Sequence, residues 1–167
     1  MAFAGAVDAA ALLHMLKSLM RDWTGQCVEP PIQGAPLRGA DHMQLATSQT
    51  HLAIALPAPV DAHQDATALR LASMVLGGES SSRLFTEVRE KRGLCYSVGG
   101  SVSLGRDRGM LQVYAGSTPQ RAGQTLACIR GELERFAGGI TREEFDRART
   151  GLKSRVIMQG ESAAARA

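Results

Sequence analysis

The sequence predicts an α+β domain in which a mostly antiparallel sheet carries helices on one face. Short stretches of alternating apolar residues are separated by longer stretches in which apolar residues recur every three or four positions, in the order β-α-β-α-α-β-β-α-α. Two of the strand patterns are joined by a short turn, which is typical of an antiparallel hairpin. With 167 residues, of which 44% are hydrophobic and 21% charged, the chain can form a single domain over residues 1–167. The second face of such a sheet would be free for a chamber or a partner.

The first half of the chain contains two strand patterns and two helix patterns. In order, they are a strand at Ala2–Val7, a helix from the capping residue Asp8 to about Trp23, a strand at Thr50–Leu56 and a helix from about Gln64 to Leu76. Between the first helix and the second strand, Thr24–Asp41 is rich in Pro and Gly and is predicted to be a loop. Pro57 and Pro59 are expected to end the second strand, because proline has no N–H to donate to a sheet.

The most informative stretch is Leu76–Val98, which reads LGGESSSRLFTEVREKRGLCYSV. Gly77 and Gly78 allow a tight turn, because glycine adopts positive φ without steric cost. Ser80 or Ser81 can then cap a helix that runs to about residue 92. The glycine at position 93 is placed to end this helix, and a strand pattern follows it.

The second half of the chain predicts a hairpin followed by two helices. The elements are strands at about Leu94–Leu104 and Gly109–Ala115, a helix opened by Thr118 and Pro119 and closed by Gly138 and Gly139, and a last helix that reaches about Met158. Thr141 and Glu144 have the spacing of a capping box at the start of that last helix. In such a box, each side chain accepts a hydrogen bond from the other residue's backbone N–H.

The stretch Leu76–Val98 resembles the C-terminal, non-zinc domain of the pitrilysin/insulinase zinc peptidases, a family that includes the mitochondrial processing peptidases. A looser resemblance, in consistent order and spacing, extends over AGAVDAAALLHMLKSLMRDW, HLAIALPAP, GMLQVYAGSTPQRAGQTLACIRGELERF and ITREEFDRARTGLKSRVIMQGESAAARA. The resemblance implies an α+β metallopeptidase-half fold like that of mitochondrial processing peptidase, in a fragment without the zinc-binding domain. The family continues with further helix and strand, so the resemblance also implies a fold that is incomplete at the C-terminus.

The resemblance implies roles for an arginine and a tyrosine that stand seven positions apart. In the family, such a pair lies across a chamber from the zinc site, and here it corresponds to Arg89 and Tyr96. Arg89 would hold backbone carbonyls of a peptide substrate, since its guanidinium presents several donors and stays charged. Tyr96 would donate a hydrogen bond near the scissile carbonyl and stabilise the oxyanion that develops there. The resemblance also implies a substrate-binding loop at Gly77, Gly78, Ser80 and Ser81.

Without the resemblance, both side chains have ordinary structural interpretations. Arg89 would be a solvated or salt-bridged residue of a helix. Tyr96 shares strand parity with Val98 and Val102, which predicts a half-buried core tyrosine rather than an exposed phenol. Only a twist or bulge at the start of the strand would turn Tyr96 away from the core.

The sequence lacks the metal signature of the family, His-x-x-Glu-His, in which two helical histidines bind zinc and the glutamate activates water. The four histidines stand singly and are expected to be structural or exposed: His14, His42, His51 and His63. The three cysteines form no C-x-x-C pair and no full disulfide framework: Cys27, Cys95 and Cys128. We therefore predict no metal or other cofactor in this chain and no peptidase activity of the chain alone. Zinc is expected in a partner domain or subunit that carries His-x-x-Glu-His.

Composition and charge disfavour other classes of function. The net charge of +3 is modest and aromatic residues make up 4%, whereas a nucleic-acid site needs a dense basic patch with stacking aromatics. No apolar run approaches the roughly 20 residues of a membrane span. The N-terminal MAFAGAV lacks the basic head and long apolar core of a secretory signal. The missing disulfide pattern slightly favours a reducing compartment. The bacterial periplasm or cytoplasm is expected rather than the extracellular space, and the compartment is not determined.

Two functions are consistent with these residues. In the first, the chain is the non-catalytic, substrate-binding half of a zinc metallopeptidase and acts on a peptide with a zinc-bearing partner. In the alternative, the chain is a structural or assembly module of the same family without a substrate role. Substituting Arg89 and Tyr96 distinguishes the two, because only the first function requires these side chains.

Overall fold

The computed structural model describes residues 2–26, 38–161 and 163. The chain divides into two compact units, one formed by Met1–Gly34 with Lys153–Ala167 and the other by Ala35–Leu152. All residues of the predicted site lie in the second unit, which is called the sheet unit below. None of the helices in the described ranges is both long and apolar enough to cross a membrane.

The described residues form α-helices, two short π-helices and an antiparallel sheet. In chain order, the elements are α1 (Ala9–Leu19), β1 (Thr50–Ala58), α2 (Ala66–Ser73), a first π-helix (Met74–Gly78), a second π-helix (Phe85–Glu90), β2 (Cys95–Leu104), β3 (Gly109–Ser117), α3 (Ala122–Ala137) and α4 (Arg142–Glu161). The strands pair antiparallel in the order β1-β3-β2. The predicted α+β class is therefore confirmed.

The core of the sheet unit lies on one face of the sheet. Alternate strand residues point to this face and pack against apolar side chains of the two π-helices and α3. The largest apolar side chains that are fully buried are Leu76, Leu84, Ile129, Val88 and Val113. Each contributes about 1.5–3 kcal/mol on burial. The intervening strand residues line the other face, called the open face below: His51, Ala53 and Ala55 of β1, Met110, Gln112, Tyr114 and Gly116 of β3, and Ser97, Gly99, Ser101 and Ser103 of β2.

The strand predicted at Ala2–Val7 is wrong. Gly5 adopts φ +145°, and the N–H of Val7 donates to Gly5 O at 3.1 Å. A local turn therefore takes the place of strand pairing in this segment. The loop predicted at Thr24–Asp41 falls largely outside the described residues, because residues 27–37 are not among them.

The first predicted helix cap is confirmed. Asp8 Oδ1 accepts hydrogen bonds from the N–H groups of Ala10 and Ala11 at 2.9 and 3.1 Å. These bonds satisfy two of the backbone donors that a helix leaves unpaired at its N-terminus. The helix ends at Leu19, short of the end predicted near Trp23.

Two other predicted boundaries are wrong. β1 continues through Pro57 to Ala58, which is possible because β1 lies at an edge of the described sheet and proline needs no partner on its outer side. α3 begins at Ala122 rather than at Pro119, since a turn with Thr118 O as acceptor comes first. The helix predicted over residues 64–76 is formed by α2 and continued by the first π-helix.

The predicted capping box at the start of α4 is confirmed. The N–H of Thr141 donates to Glu144 Oε2 at 2.7 Å, and the N–H of Glu144 donates to Thr141 Oγ1 at 3.2 Å. The same carboxylate forms a bidentate ion pair with Arg83, whose Nε and Nη2 donate at 2.6 and 2.8 Å. Arg83 also donates to Gly139 O at 2.9 Å and lies over the Phe136 ring. This pair connects the segment before the second π-helix to α4.

The Arg83–Glu144 pair is expected to make the fold sensitive to acid. Hydrogen bonding from Arg83 lowers the pKa of Glu144 from 4.5 to about 2. Because the folded-state pKa lies below the unfolded one, this stabilisation is present above about pH 4.5 and is lost as the pH falls toward 2. Glu144→Gln keeps an acceptor for the capping box but removes the charge. We expect it to lower the free energy of unfolding by about 1–2 kcal/mol at pH 7 and by much less at pH 2, measured by urea titration.

The matched control is Asp146→Asn, two residues along the same helix. Hydrogen bonding from Arg142 also lowers the pKa of Asp146, but Arg142 and Arg149 are far more exposed than Arg83. Solvent screens these pairs, so the variant should lose much less stability than Glu144→Gln. A loss for Glu144→Gln that is equal at pH 7 and pH 2 would contradict an ionic origin.

Candidate functional site

The second π-helix carries the predicted site arginine. In a π-helix, a backbone N–H bonds to the carbonyl five residues earlier, and here Lys91 N donates to Thr86 O at 2.9 Å. Leu84 and Val88 are fully buried and fix one side of this segment to the core. Arg89 follows on the exposed side. π-Helices are rare and occur frequently at functional sites.

The guanidinium of Arg89 has no carboxylate partner among the described residues. It lies 4.8 Å from the centre of the Phe85 ring, a cation–π contact that restrains the side chain. Of the two carboxylates in this helix, Glu87 is bound by Lys91 and Arg92, each at 2.6 Å, and Glu90 makes no ion pair with Arg89. These hydrogen bonds lower the pKa of Glu87. Arg89 is therefore solvated rather than salt-bridged, and its N–H donors are available to a ligand.

Tyr96 stands at a β-bulge. Cys95 pairs with Ser117 and Ser97 pairs with Gly116, so Tyr96 is an extra residue in β2. The bulge interrupts the alternation of the strand, so that Cys95 packs against the core while Tyr96 is 59% exposed. The core position that strand parity predicted for Tyr96 is therefore wrong. Its hydroxyl makes no hydrogen bond within the described residues.

Buried hydroxyl groups hold the backbone just before the bulge. Ser117 Oγ donates to Leu94 O at 2.5 Å, and Thr125 Oγ1 lies 3.1 Å from the same oxygen and 3.0 Å from Ser117 Oγ. Both hydroxyl residues are fully buried, where polar groups need hydrogen-bond partners. One residue earlier, Arg121 Nη1 donates to Gly93 O at 2.6 Å. The end of β3 and the start of α3 thus fix the segment that leads to Tyr96.

The chain reverses direction between Arg89 and Tyr96. Gly93, at φ +60°, ends the helix as predicted, and its N–H donates to Arg89 O at 3.0 Å. Burial raises the pKa of the Cys95 thiol, and the positive charge of Arg89 partly opposes that rise. This single reversal separates the end of the second π-helix, which carries Arg89, from the start of β2, which carries Tyr96.

Gly77 packs directly against the backbone of β2. A Cβ at this position would lie 2.1 Å from Gly100 N and 2.8 Å from Gly99 C, so only glycine allows this approach. Gly99 follows Tyr96 by three residues, which corresponds to about 10 Å along a strand. The structure thus gives Gly77 a packing role at some distance from the Tyr96 hydroxyl.

The rest of the predicted substrate-binding loop is partly exposed. A Cβ at Gly78 would meet Met74 Sδ at 2.8 Å. Ser80 and Ser81 are exposed, and the cap predicted for one of them is wrong, because the helix begins where Ser82 O accepts the N–H of residue 86 at 3.0 Å. The role of this loop in substrate binding stays a prediction.

A polar cluster lies on the open face, beside the bulge, and was not predicted from the sequence. His51 Nδ1 lies 2.7 Å from Tyr114 Oη, and the two rings stack with centroids 5.9 Å apart. Three polar atoms surround the point that a Cβ of Gly116 would occupy: Ser97 Oγ at 3.1 Å, Tyr114 Oη at 3.5 Å and Gln49 Oε1 at 3.9 Å. Strand parity could have shown that these residues share a face, but the pairing register that brings them together was not predictable.

Within the described ranges, the His, Cys, Asp and Glu side chains do not gather in any group of three or more that could hold a metal ion. A zinc site needs three or four such ligands around one point. The described residues of this chain therefore do not fit a zinc ion.

The amino-acid sequence matches a known family and named relatives. A family model described as peptidase M16 inactive domain matches residues 1–152. An uncharacterised zinc protease of Streptomyces coelicolor is 32% identical over an alignment of 167 residues. The alignment covers 94% of this chain and 36% of the relative. An uncharacterised zinc protease of Mycobacterium tuberculosis is 37% identical over 119 residues, covering 71% and 27%. The chain thus spans 36% or less of the length of these two relatives.

Solved structures show the same fold. A peptidase M16 inactive domain from Pseudomonas fluorescens superposes with a TM-score of 0.61 at 30% identity, over 64% of this chain and 26% of that one. A protease from Helicobacter pylori superposes with a TM-score of 0.79 over 97% of this chain and 41% of that one. Its identity of 23% supports a shared fold alone.

Proposed function

The chain belongs to the peptidase M16 inactive domain family, and we propose that it acts as the non-catalytic, substrate-binding half of a zinc peptidase. This membership confirms the family resemblance of Leu76–Val98. The zinc ion would be held by another domain or subunit with His-x-x-Glu-His, and the substrate would be a peptide. The names of the relatives as zinc proteases support this proposal.

The observation that carries the proposal is the exposure of Arg89 and Tyr96 on the two sides of a single chain reversal. Neither side chain is hydrogen-bonded to the described residues, so both can donate to a ligand. Arg89 would hold carbonyl oxygens of the peptide backbone through charge-assisted hydrogen bonds. Tyr96 would donate to the scissile carbonyl oxygen as negative charge develops on it. Both groups act only on substrate oxygens and need no metal in this chain.

The test is Arg89→Ala in the assembled peptidase, that is, this chain together with the domain or subunit that bears zinc. We expect kcat/KM for a peptide to fall about 10- to 100-fold, because hydrogen bonds to charged groups contribute about 1.5–3 kcal/mol. The matched control is Arg130→Ala on α3, which is also exposed and should leave kcat/KM unchanged. Equal activity of both variants, with normal assembly, would favour the alternative of an assembly module.

A further inference from the structure

We propose that His51, Ser97 and Tyr114 form a binding site for a carboxylate group of the peptide substrate. The three residues come from the three strands of the sheet and converge at Gly116 on the open face. The choice of a peptide as ligand rests on the proposed function, whereas the site itself rests on the geometry of these side chains.

The site leaves hydrogen-bond donors without a partner among the described residues, and its one amide oxygen, Gln49 Oε1, is the most distant of the three polar atoms around Gly116, at 3.9 Å. A neutral histidine and a tyrosine carry one N–H and one O–H between them, and their mutual hydrogen bond of 2.7 Å uses one of these. Whichever residue donates, the other keeps a free N–H or O–H. The hydroxyl of Ser97 makes no hydrogen bond within the described residues and supplies a second donor. When His51 donates from Nδ1, the O–H groups of Tyr114 and Ser97 are both free beside Gly116, and these two donors match the two oxygens of a carboxylate.

The strands around the site carry no charge that would exclude an anion. None of the three strands contains an Asp, Glu, Lys or Arg, so no carboxylate on the sheet repels the ligand or competes for the donors. A cationic ligand would find no carboxylate on these strands to bind it.

A purely structural role would give the cluster a different signature. The diagonal stack of His51 on Tyr114 stabilises the sheet by roughly 0.2–1 kcal/mol, as cross-strand pairs do. Tyr114→Phe preserves that stack and removes the hydroxyl, and Ser97→Ala removes a hydroxyl without a partner among the described residues. Both variants should therefore fold normally and change only ligand binding.

The test measures KM in the assembled peptidase for two peptides that differ by Asp against Asn at one position. We expect Ser97→Ala and Tyr114→Phe each to raise KM about tenfold for the Asp peptide and to leave the Asn peptide unchanged. The controls are Ser101→Ala and Gln112→Ala, which lie on the same face farther from the bulge. If the two variants instead raise KM only for peptides with a free C-terminus, and not for C-amidated peptides, the bound carboxylate is the terminal one. The proposal would be overturned if the variants changed KM equally for the Asp, Asn and C-amidated peptides, or if they changed KM for none of them.

A second measurement does not depend on peptidase activity. The ring resonances of His51 in the full chain are followed by NMR during titration with an N-acetylated, C-amidated Asp peptide and with its Asn counterpart. We expect saturable shifts with the Asp peptide, and these should be lost in Tyr114→Phe. Identical responses to both peptides would overturn the carboxylate site. Saturable binding together with full activity of Arg89→Ala would overturn the proposed function and leave the site standing.

Discussion

Replacing Tyr96 with phenylalanine is expected to lower kcat of the assembled peptidase about 10²–10³-fold, the effect of losing one oxyanion donor. The bulge in β2 exposes the phenol, and its hydroxyl is not hydrogen-bonded to the described residues. The hydroxyl would act mainly on the charge of the transition state. We therefore expect kcat and kcat/KM to fall together, with KM almost unchanged, in steady-state kinetics on a peptide substrate.

The stability of the Tyr96→Phe variant is the control for this result. Because the hydroxyl has no partner in the described structure, the free energy of unfolding should stay within about 0.5 kcal/mol of the wild type. A large rise in KM with unchanged kcat would assign Tyr96 to ground-state binding and would contradict its role at the oxyanion.

Replacing Gly77 with alanine is expected to destabilise the chain by at least about 3 kcal/mol, at the upper end for overpacked positions. The added Cβ would lie 2.1 Å from Gly100 N and 2.7 Å from Gly100 Cα, so it meets backbone rather than a movable side chain. Relief would require the first π-helix to move away from β2. The measurement is urea-induced unfolding of the chain, followed by circular dichroism.

The matched control is Gly131→Ala within α3. A Cβ at position 131 meets nothing within 4 Å, and alanine favours a helix by about 0.5–1 kcal/mol over glycine. The same chemical change should therefore stabilise the chain at position 131 and destabilise it at position 77. Unfolding of Gly77→Ala at the wild-type urea concentration would contradict the close approach of the two backbones.

Features that depend on a few neighbouring residues could be predicted from the sequence. Asp8 caps α1, Gly93 ends the second π-helix, and Thr141 and Glu144 form their capping box, because each device needs only residues within one turn. The hairpin of β2 and β3 was also predictable from the sequence, since its two strands are joined by a short turn. The sequence motif around Arg89 and Tyr96 was sufficient to indicate the family.

Features that depend on distant residues could not be predicted. The bulge at Tyr96 interrupts an alternation that pointed to a core tyrosine, and the backbone before it is held by Ser117 and Thr125, more than 20 positions along the chain. The π-helices have no sequence pattern that separates them from α-helices. The partner of Tyr114 is His51, which lies 63 positions away and is brought to it by the pairing of β1 with β3.

The most direct measurement combines Arg89→Ala and Tyr96→Phe in one chain and determines assembly and turnover in the same sample. The chain is mixed with its zinc-bearing domain or subunit, the assembled fraction is quantified by size-exclusion chromatography, and peptide hydrolysis is expressed per assembled molecule. We predict wild-type assembly with kcat/KM lowered at least about 10³-fold, since both proposed substrate contacts would be lost. Wild-type hydrolysis by a normally assembled variant would contradict a substrate-binding role and leave assembly as the function of this domain.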